Sequence, residues 1–189
     1  MIGADFAAVL TAAQHGDEAA FATLWHDGQP ALLRYLTVIN PGAAEDIAAE
    51  TWTQVVRGLA NFRGDEPHWR AWLFTIARRR VIDHGRRLMR RPTTSLETQS
   101  DLALAELPAL RSPDAADLAL ANLDTRAAIA VIARLPPLQA EVIMLRVVAG
   151  LDTEMVAQLL GRTPGAIRIA AHRGLHRLAG MLTEAGVTR

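Results

Sequence analysis

Apolar residues recur at helical spacing along most of this 189-residue chain. Runs of alternating β-branched residues, which indicate strands, do not occur, and alanine, leucine and arginine are abundant. Half of the residues are apolar and about a fifth are charged, a balance that supplies enough apolar side chains for a buried core. The sequence therefore predicts an all-α fold of two small helical domains joined by a flexible linker.

Caps and prolines mark helix boundaries in the N-terminal half. Asp17 is typical of an N-cap, Pro30 predicts the start of a second helix, and residues 40–42 predict its end. A third helix is expected over residues 43–59, with an acidic first turn. Its predicted apolar stripe consists of Ile47, Trp52, Val55, Val56 and Leu59.

A long helix is predicted from Pro67 to about Arg91, after a polar loop. A helical projection places an apolar group and an arginine group on opposite sides: Trp69, Leu73, Ile76 and Ala77 against Arg78, Arg79 and Arg86. Aromatic rings beside arginines are typical of surfaces that bind unpaired bases. A core side next to a solvated charged side fits the same pattern, and the residues alone do not separate these alternatives.

Charge falls into blocks although the formal net charge is zero. Residues 1–56 carry −6, residues 57–91 carry +7, residues 92–125 carry −5 and residues 126–189 carry +4, and every basic residue is arginine. The two basic blocks predict two sites at which a polyanion could bind. The acidic blocks predict a separate surface that could bind a basic partner. Residues 92–114, rich in proline, serine and acids, predict a linker between domains at 1–91 and 115–189.

A helix-turn-helix is the most specific motif of the C-terminal domain. After helices predicted over 115–134 and 137–148, two closely spaced helices are expected over 152–160 and 163–182. Ala157, Gly161 and Ile167 occupy the positions that need a small residue, a turn glycine and an aliphatic anchor. The buried stripe of the second helix is predicted to contain Ile167, Ala171, Leu178 and Leu182, and the outer arc Arg168, His172, Arg173, His176 and Arg177. Spacing, cap, turn and charge together favour DNA binding over a plain helical hairpin.

Other chemistry finds little support in the sequence. Cysteine is absent, and no P-loop, dinucleotide fingerprint or nucleophile elbow occurs. His172 and His176 have a metal-capable spacing but no evident third ligand, so no metal, cofactor or catalytic residue is predicted. No secretory signal or membrane-spanning segment is evident, which predicts a cytoplasmic protein without membrane insertion.

Several motifs in order resemble one family. They are AEDIAAETW at residues 44–52, FRG at residues 62–64, WRAWLFTIAR at residues 69–78, and RLPP at residues 134–137 before the helix-turn-helix. From Gly16 to Leu182 the chain resembles the extracytoplasmic-function sigma factors, the two-domain class of bacterial RNA polymerase specificity subunits. The resemblance implies a non-enzymatic transcription initiation factor that binds core polymerase and recognises minus-10 and minus-35 promoter elements.

The resemblance also implies a role for each group of residues. The third helix would dock on the clamp coiled coil of the largest polymerase subunit through Glu45, Asp46, Glu50 and Trp52. The minus-10 element would be bound, with a flipped base held by the loop at 61–68, through Asn61, Phe62, Arg63, His68, Trp69, Arg78, Arg79, Arg86, Arg87 and Arg90. The minus-35 element would be bound through Arg162, Thr163, Pro164, Arg168, His172, Arg173 and Arg177. An anti-sigma factor is an implied further partner.

This sequence departs from the family pattern in places. Ala49 and Arg80 stand where the family often has Gln and Asn, and Ile169 and Ala170 stand where a basic or polar residue is common. The minus-35 sequence that this chain would read therefore does not follow from the sequences that its relatives read. A polymerase-independent helix-turn-helix repressor and an interaction scaffold without DNA affinity remain as alternatives.

Overall fold

The computed structural model describes residues 2–90 and 125–184, and within them it contains helices and turns but no strand. The N-terminal domain consists of α1 (Phe6–Gln14), α2 (Glu18–Ile39), α3 (Ala44–Leu59) and α4 (Glu66–Arg90). The C-terminal domain consists of α5 (125–132), α6 (Pro137–Ile143), α7 (Thr153–Leu160) and α8 (Pro164–Glu184). The all-α, two-domain prediction is confirmed. The predicted linker at 92–114 and the first part of the helix predicted over 115–134 lie outside the described residues.

The predicted helix caps are present. Asp17 accepts a hydrogen bond from the Ala20 amide at 2.9 Å at the start of α2. Thr163 Oγ1 accepts one from the Ala166 amide at 3.2 Å before α8. Gly161 ends α7 with φ 62° and ψ 42°, a left-handed conformation that only glycine adopts without strain. These local signals therefore set the helix-turn-helix as the sequence indicates.

The prediction that Pro30 begins a helix is wrong, because α2 runs without interruption from Glu18 to Ile39. The buried positions Leu24, Gly28, Leu32 and Leu36 continue at four-residue spacing across the proline. Packing along this stripe outweighs the loss of one backbone hydrogen bond. The carbonyl that loses its donor belongs to His26, which is exposed and accessible to water.

The predictions for two residues of the apolar stripes, Val56 and Leu182, are also wrong. Val56 is 55% exposed, and Thr51 fills the buried position, with its hydroxyl donating to the Ile47 carbonyl at 2.7 Å. The hydrogen bond within α3 makes burial of this hydroxyl inexpensive. In α8, Leu182 is exposed and Met181 packs on the small core beside α6.

The helix predicted over 137–148 changes its hydrogen-bond pattern partway. After α6, residues Met144–Val148 continue as a π-helical segment. Met144 and Leu145 are fully buried within this segment, and Gly150, with φ 68°, follows it. The wider turn supplies buried apolar side chains on the side that contacts α2.

The two domains pack against each other. The buried core of α1–α4 continues into Val142, Met144 and Leu145 of the C-terminal domain. Tyr35, fully buried on α2, donates its hydroxyl to Glu141 Oε1 at 3.1 Å, and Arg78 Nε donates to the same oxygen at 2.9 Å. Burial, with the negative charge of Glu141, raises the pKa of Tyr35 well above its usual range, so the phenol remains a donor.

Along the described ranges, no helix combines the length and the apolar character that crossing a bilayer requires.

Two helical glycines give opposite predictions for stability. A Cβ on Gly28 would lie 3.0 Å from Leu73 Cδ2 and 3.2 Å from the Trp52 ring, whereas a Cβ on Gly85 meets nothing within 4 Å. We expect Gly28→Ala to lower the free energy of unfolding by up to about 2 kcal/mol, because overpacking against Leu73 and the rigid Trp52 ring outweighs the gain in helix propensity. Gly85→Ala should raise it by up to about 1 kcal/mol through helix propensity. Urea denaturation of both variants checks this, and equal effects would contradict the tight packing at Gly28.

Candidate nucleic-acid interface

The side of α4 away from the core carries its exposed arginines. Trp69, Leu73 and Ala77 are almost completely buried against the other N-terminal helices. Burial of that side turns Arg79 and Arg86 towards solvent. Arg86 lies 3.9 Å from Asp83, a distance typical of a weak, exposed ion pair. The exposed arginines near the end of α4 are Arg86, Arg87 and Arg90.

A cavity of about 580 Å³ lies between α3, the loop that follows it and the middle of α4. It is open to solvent along one side rather than enclosed. The structure brings together four of the residues predicted for the minus-10 element, namely Asn61, Phe62, Arg63 and Arg79. It adds residues that the prediction left out: Gln54, Gly58, Trp72, Ile76 and Arg80.

The tryptophan ring that reaches this cavity is Trp72 rather than Trp69. Trp69 is 1% exposed and packs against Phe6, Phe62 and Trp72, with ring centroids 5.4–6.4 Å apart. A ring so enclosed cannot stack on a base in this conformation. Phe62 is also buried, with its ring centroid 5.1 Å from that of Trp72. Trp72, Ile76 and Arg79 follow one another at helical spacing, a signal by which sequence reasoning would have found Trp72.

The predicted residues Arg63 and His68 hold the loop itself. Arg63 Nη1 donates to the carbonyls of Ala60 at 2.9 Å and Phe62 at 2.6 Å. Asp65 accepts from the His68 amide at 3.1 Å and also contacts the His68 ring. These hydrogen bonds hold the pKa of the Asp65 carboxyl below its usual range. Part of the hydrogen-bonding capacity of both side chains is therefore used within the loop.

Arg78, predicted for the same site, faces the other domain. A second cavity, of about 590 Å³, lies between parts of α4 and α7. Arg78, Arg79 and His68 line its α4 side, and Asp152 and Glu154 line its α7 side. In this arrangement Arg78 is bound to Glu141.

The acidic first turn of α3 has two exposed carboxylates, Glu45 and Asp46. Glu50 instead pairs with Arg87 across α3 and α4, with two nitrogen–oxygen distances of 3.1 and 3.2 Å. The hydrogen bonds and charge of Arg87 lower the pKa of Glu50. Trp52 is 7% exposed and donates its indole N–H to Gln29 Oε1 at 2.6 Å, so it packs in the core.

The outer side of α8 is exposed as the sequence predicts. Arg162, Arg168, His172, Arg173 and Arg177 all lie at the surface, and Pro164 is the first residue of the helix. Arg168 lies 3.2 Å from Glu154 of α7, with both side chains more than half exposed. The close approach of α6 and α8 at Gly174, where a Cβ would lie 2.7 Å from Ile143 Cδ1, was not foreseen. In residues 2–90 and 125–184 no three His, Cys, Asp or Glu side chains are grouped to hold a metal ion.

Comparison with known proteins identifies two regions. Residues 24–91 match the family model for Sigma-70 region 2, and residues 125–178 match that for Sigma-70, region 4. The chain is 35% identical over 184 residues to the ECF RNA polymerase sigma factor ShbA of Streptomyces griseus, covering 94% of this chain and 95% of that protein. It is 31% identical over 194 residues to the ECF RNA polymerase sigma factor SigD of Mycobacterium tuberculosis, covering 98% and 88%.

Two solved structures share the fold. One is CnrH in complex with the cytosolic domain of CnrY, with a TM-score of 0.59, 21% identity and coverage of 93% of this chain and 96% of that chain. The other is RpoE in complex with the anti-sigma factor NepR from Bartonella quintana, with a TM-score of 0.60, 23% identity and coverage of 89% and 98%.

The Glu50–Arg87 pair gives a testable pH dependence. Arg87 lowers the pKa of Glu50 in the folded state, so the whole contribution of this ion pair to stability is present at neutral pH. That contribution is lost as the pH falls from the pKa that Glu50 has in the unfolded chain through the lower pKa that it has in the folded protein. We expect Arg87→Ala to return the pKa of Glu50 towards its ordinary value, as measured by NMR titration of the carboxyl carbon.

Arg86→Ala is the matched control, since Arg86 neighbours Asp83 and not Glu50. This variant should leave the Glu50 titration unchanged. An unshifted titration in Arg87→Ala would show that the pair does not persist in solution.

Proposed function

Because this chain belongs to the extracytoplasmic-function sigma factors of the sigma-70 family, we propose that it directs RNA polymerase to promoters by reading their minus-10 and minus-35 elements with separate domains. The observation that carries the proposal is that each matched region has its own exposed arginine surface, on α4 and on α8. A sigma factor is a transcription initiation factor and acts by binding. The proposed place of action is the cytoplasm.

The cavity beside α4 is the proposed site for an unpaired minus-10 base. A base displaced from the duplex needs an aromatic surface, hydrogen bonds to its edge and cations for its phosphates. Trp72 offers the ring, the exposed Asn61 offers its amide, and Arg79 offers a guanidinium at the rim. Arg80 also lines the cavity, and its buried Nε has no hydrogen-bond partner within the described residues.

The exposed side of α8 is the proposed minus-35 reader. The helix begins at Pro164 after the Thr163 cap, so its N-terminal amides favour a phosphate. Arg168, His172 and Arg173 follow on the side that would enter a major groove, where arginine pairs with guanine or phosphate. Arg162 and Arg177 would contact the backbone at the two ends of this side.

The first turn of α3 is the proposed docking site for core polymerase. Glu45 and Asp46 are exposed and fit a basic partner, such as the clamp coiled coil of the largest subunit. The pairing of Glu50 with Arg87 leaves these two as the principal acids of the surface. An anti-sigma factor is a further proposed partner, by analogy with the RpoE–NepR complex.

A reconstituted transcription assay tests the proposal. Purified chain, core polymerase and a promoter library should give start-site-specific transcripts. A repressor would bind duplex DNA without polymerase and give none, and a scaffold would do neither. Either result would contradict the proposed function.

The docking site is tested by charge reversal. We expect Asp46→Arg to lower the affinity for core polymerase about tenfold or more, because it places like charges at the interface. Glu18→Arg is the matched control, since Glu18 is also an exposed acid in the first turn of a helix. Polymerase binding is measured by fluorescence anisotropy of labelled chain. Equal losses in both variants would indicate a general charge effect and contradict docking at α3.

The minus-35 reader is tested by truncation of one arginine. Arg173→Ala should weaken holoenzyme binding to a promoter by about 1–3 kcal/mol if the side chain reads a base. The loss should vanish on a promoter whose minus-35 element is scrambled. Arg134→Ala, an exposed arginine outside the helix-turn-helix, is the control. A wild-type footprint for Arg173→Ala on the intact promoter would remove Arg173 from the reading surface.

A further inference from the structure

The N-terminal segment, residues 2–14, lies before both matched regions and contacts both ends of the loop at 60–65. This loop connects α3 to α4 and forms one wall of the cavity beside α4. Gln14, the last residue of α1, is partly buried above the start of the loop. Its Nε2 donates to the Leu59 carbonyl at 2.9 Å and to the Phe62 carbonyl at 2.9 Å. One amide group therefore joins the end of α3 to the first part of the cavity wall.

The other end of the loop is held by the start of the chain. The amides of Ile2 and Gly3 donate to the Glu66 carboxylate at 3.1 and 2.9 Å. Arg70 Nη2 bridges Glu66 at 3.2 Å and Asp27 at 2.8 Å. These three side chains are only 12–16% exposed, so their interactions are less screened by water than surface pairs. The first turn of α4 is thereby connected to α2 and to the N-terminus.

The core side of α1 reaches the rings of the cavity. Phe6 is 3% exposed and packs on Trp69 with a centroid distance of 6.4 Å. Trp69 in turn packs on Phe62 at 5.5 Å and on Trp72 at 5.4 Å. The position of α1 therefore affects, through Trp69, the positions of Phe62 and Trp72, the two aromatic rings that line the cavity.

The course of the loop depends on Gly64 and on the residues on either side of Phe62. Gly64 has φ +153°, a conformation that side-chain-bearing residues rarely adopt. Asn61 and Arg63, the neighbours of Phe62, are exposed and line the cavity. Fixing the Phe62 carbonyl limits the positions that both side chains can take. A site fixed before binding loses less entropy when a base enters.

From these contacts we infer that residues 2–14 act as a clasp that holds the minus-10 cavity in shape, with Gln14 as its positioning residue. The inference rests on the proposed function, because it assigns the clasp to the site where a base would be held. Gln14 acts through the loop and lies outside the set of residues that line the cavity.

The experiment uses holoenzyme made with Gln14→Met. Methionine retains the length of the side chain but removes both donors. Open-complex formation is measured on promoters that carry each of the four bases at every minus-10 position, as duplexes and as pre-opened bubbles. We expect the preference for the best base to fall on the order of tenfold, the scale of two lost hydrogen bonds. The fall should occur on both templates, because it concerns the fit of the base and not duplex opening.

Two further variants separate positioning from stability. Thr11→Ala removes an exposed hydrogen bond within α1, from Thr11 Oγ1 to the Ala7 carbonyl, and should leave base preference unchanged. Gln14→Lys restores donors near the same carbonyls and should recover much of the preference. A lower melting temperature for Gln14→Met with wild-type base preference would overturn the inference. Loss of preference in Thr11→Ala as large as in Gln14→Met would also overturn it.

Failure of the inference and of the proposed function give different results. If wild-type holoenzyme discriminates between minus-10 bases and Gln14→Met does so equally, the clasp is wrong and the proposed function stands. If wild-type holoenzyme shows no preference at any minus-10 position, the cavity is not a base site, and both proposals fail at that point.

Discussion

Burial of one side of α4 is the constraint on which the rest of the N-terminal domain depends. Trp69, Leu73 and Phe74 are each 1% exposed, and burying side chains of this kind contributes about 1.5–3 kcal/mol apiece. Any other rotation of α4 about its axis would place arginines in the core, at a large desolvation cost. The same rotation that satisfies the core therefore sets Arg79 at the surface and Trp72 at the boundary. The cavity forms where that boundary meets the loop after α3.

The arginines of the basic block at residues 57–91 have different structural roles, although they carry the same charge. Arg70 is largely buried between Asp27 and Glu66 and connects helices. Arg63 closes the loop by donating to backbone carbonyls, and Arg87 pairs with Glu50. Arg79 is exposed and borders both cavities. A positive block in the sequence thus contains a smaller set of residues available to a polyanion than its net charge suggests.

Besides the fold class and the exposed side of α8, the features predicted correctly from the sequence are those set within one turn of chain. The caps at Asp17 and Thr163 and the turn at Gly161 depend on neighbours three or four residues away. The prediction that Pro30 begins a helix is wrong because packing along the whole of α2 outweighs the preference of proline for the first turn of a helix. Trp69 and Trp72 lie one helical turn apart, and the packing of Phe6 and Phe62 on Trp69 makes Trp69 a core ring while Trp72 lines the cavity.

Contacts between distant residues were beyond prediction from a single sequence. Glu50 and Arg87 are 37 positions apart, and Gln14 lies 45 and 48 positions from the carbonyls it contacts. Such pairs follow from how helices cross, which periodicity does not specify. They are also the contacts that decide which charged side chains of the candidate site remain accessible.

The hydrogen bonds to Glu141 would make the packing of the two domains and nucleic-acid binding by Arg78 mutually dependent, if Arg78 contacts DNA as the sequence predicts. One carboxylate oxygen accepts from both Tyr35 and Arg78, and the Arg78 guanidinium is the same group that a phosphate would occupy. Glu141 would then compete with a phosphate for Arg78, because its carboxylate is held beside that cation at high effective concentration. Free energy that favours packing of the two domains would therefore reduce the affinity of any ligand that requires Arg78. By reciprocity, a ligand that binds Arg78 would favour separation of the domains by the same free energy.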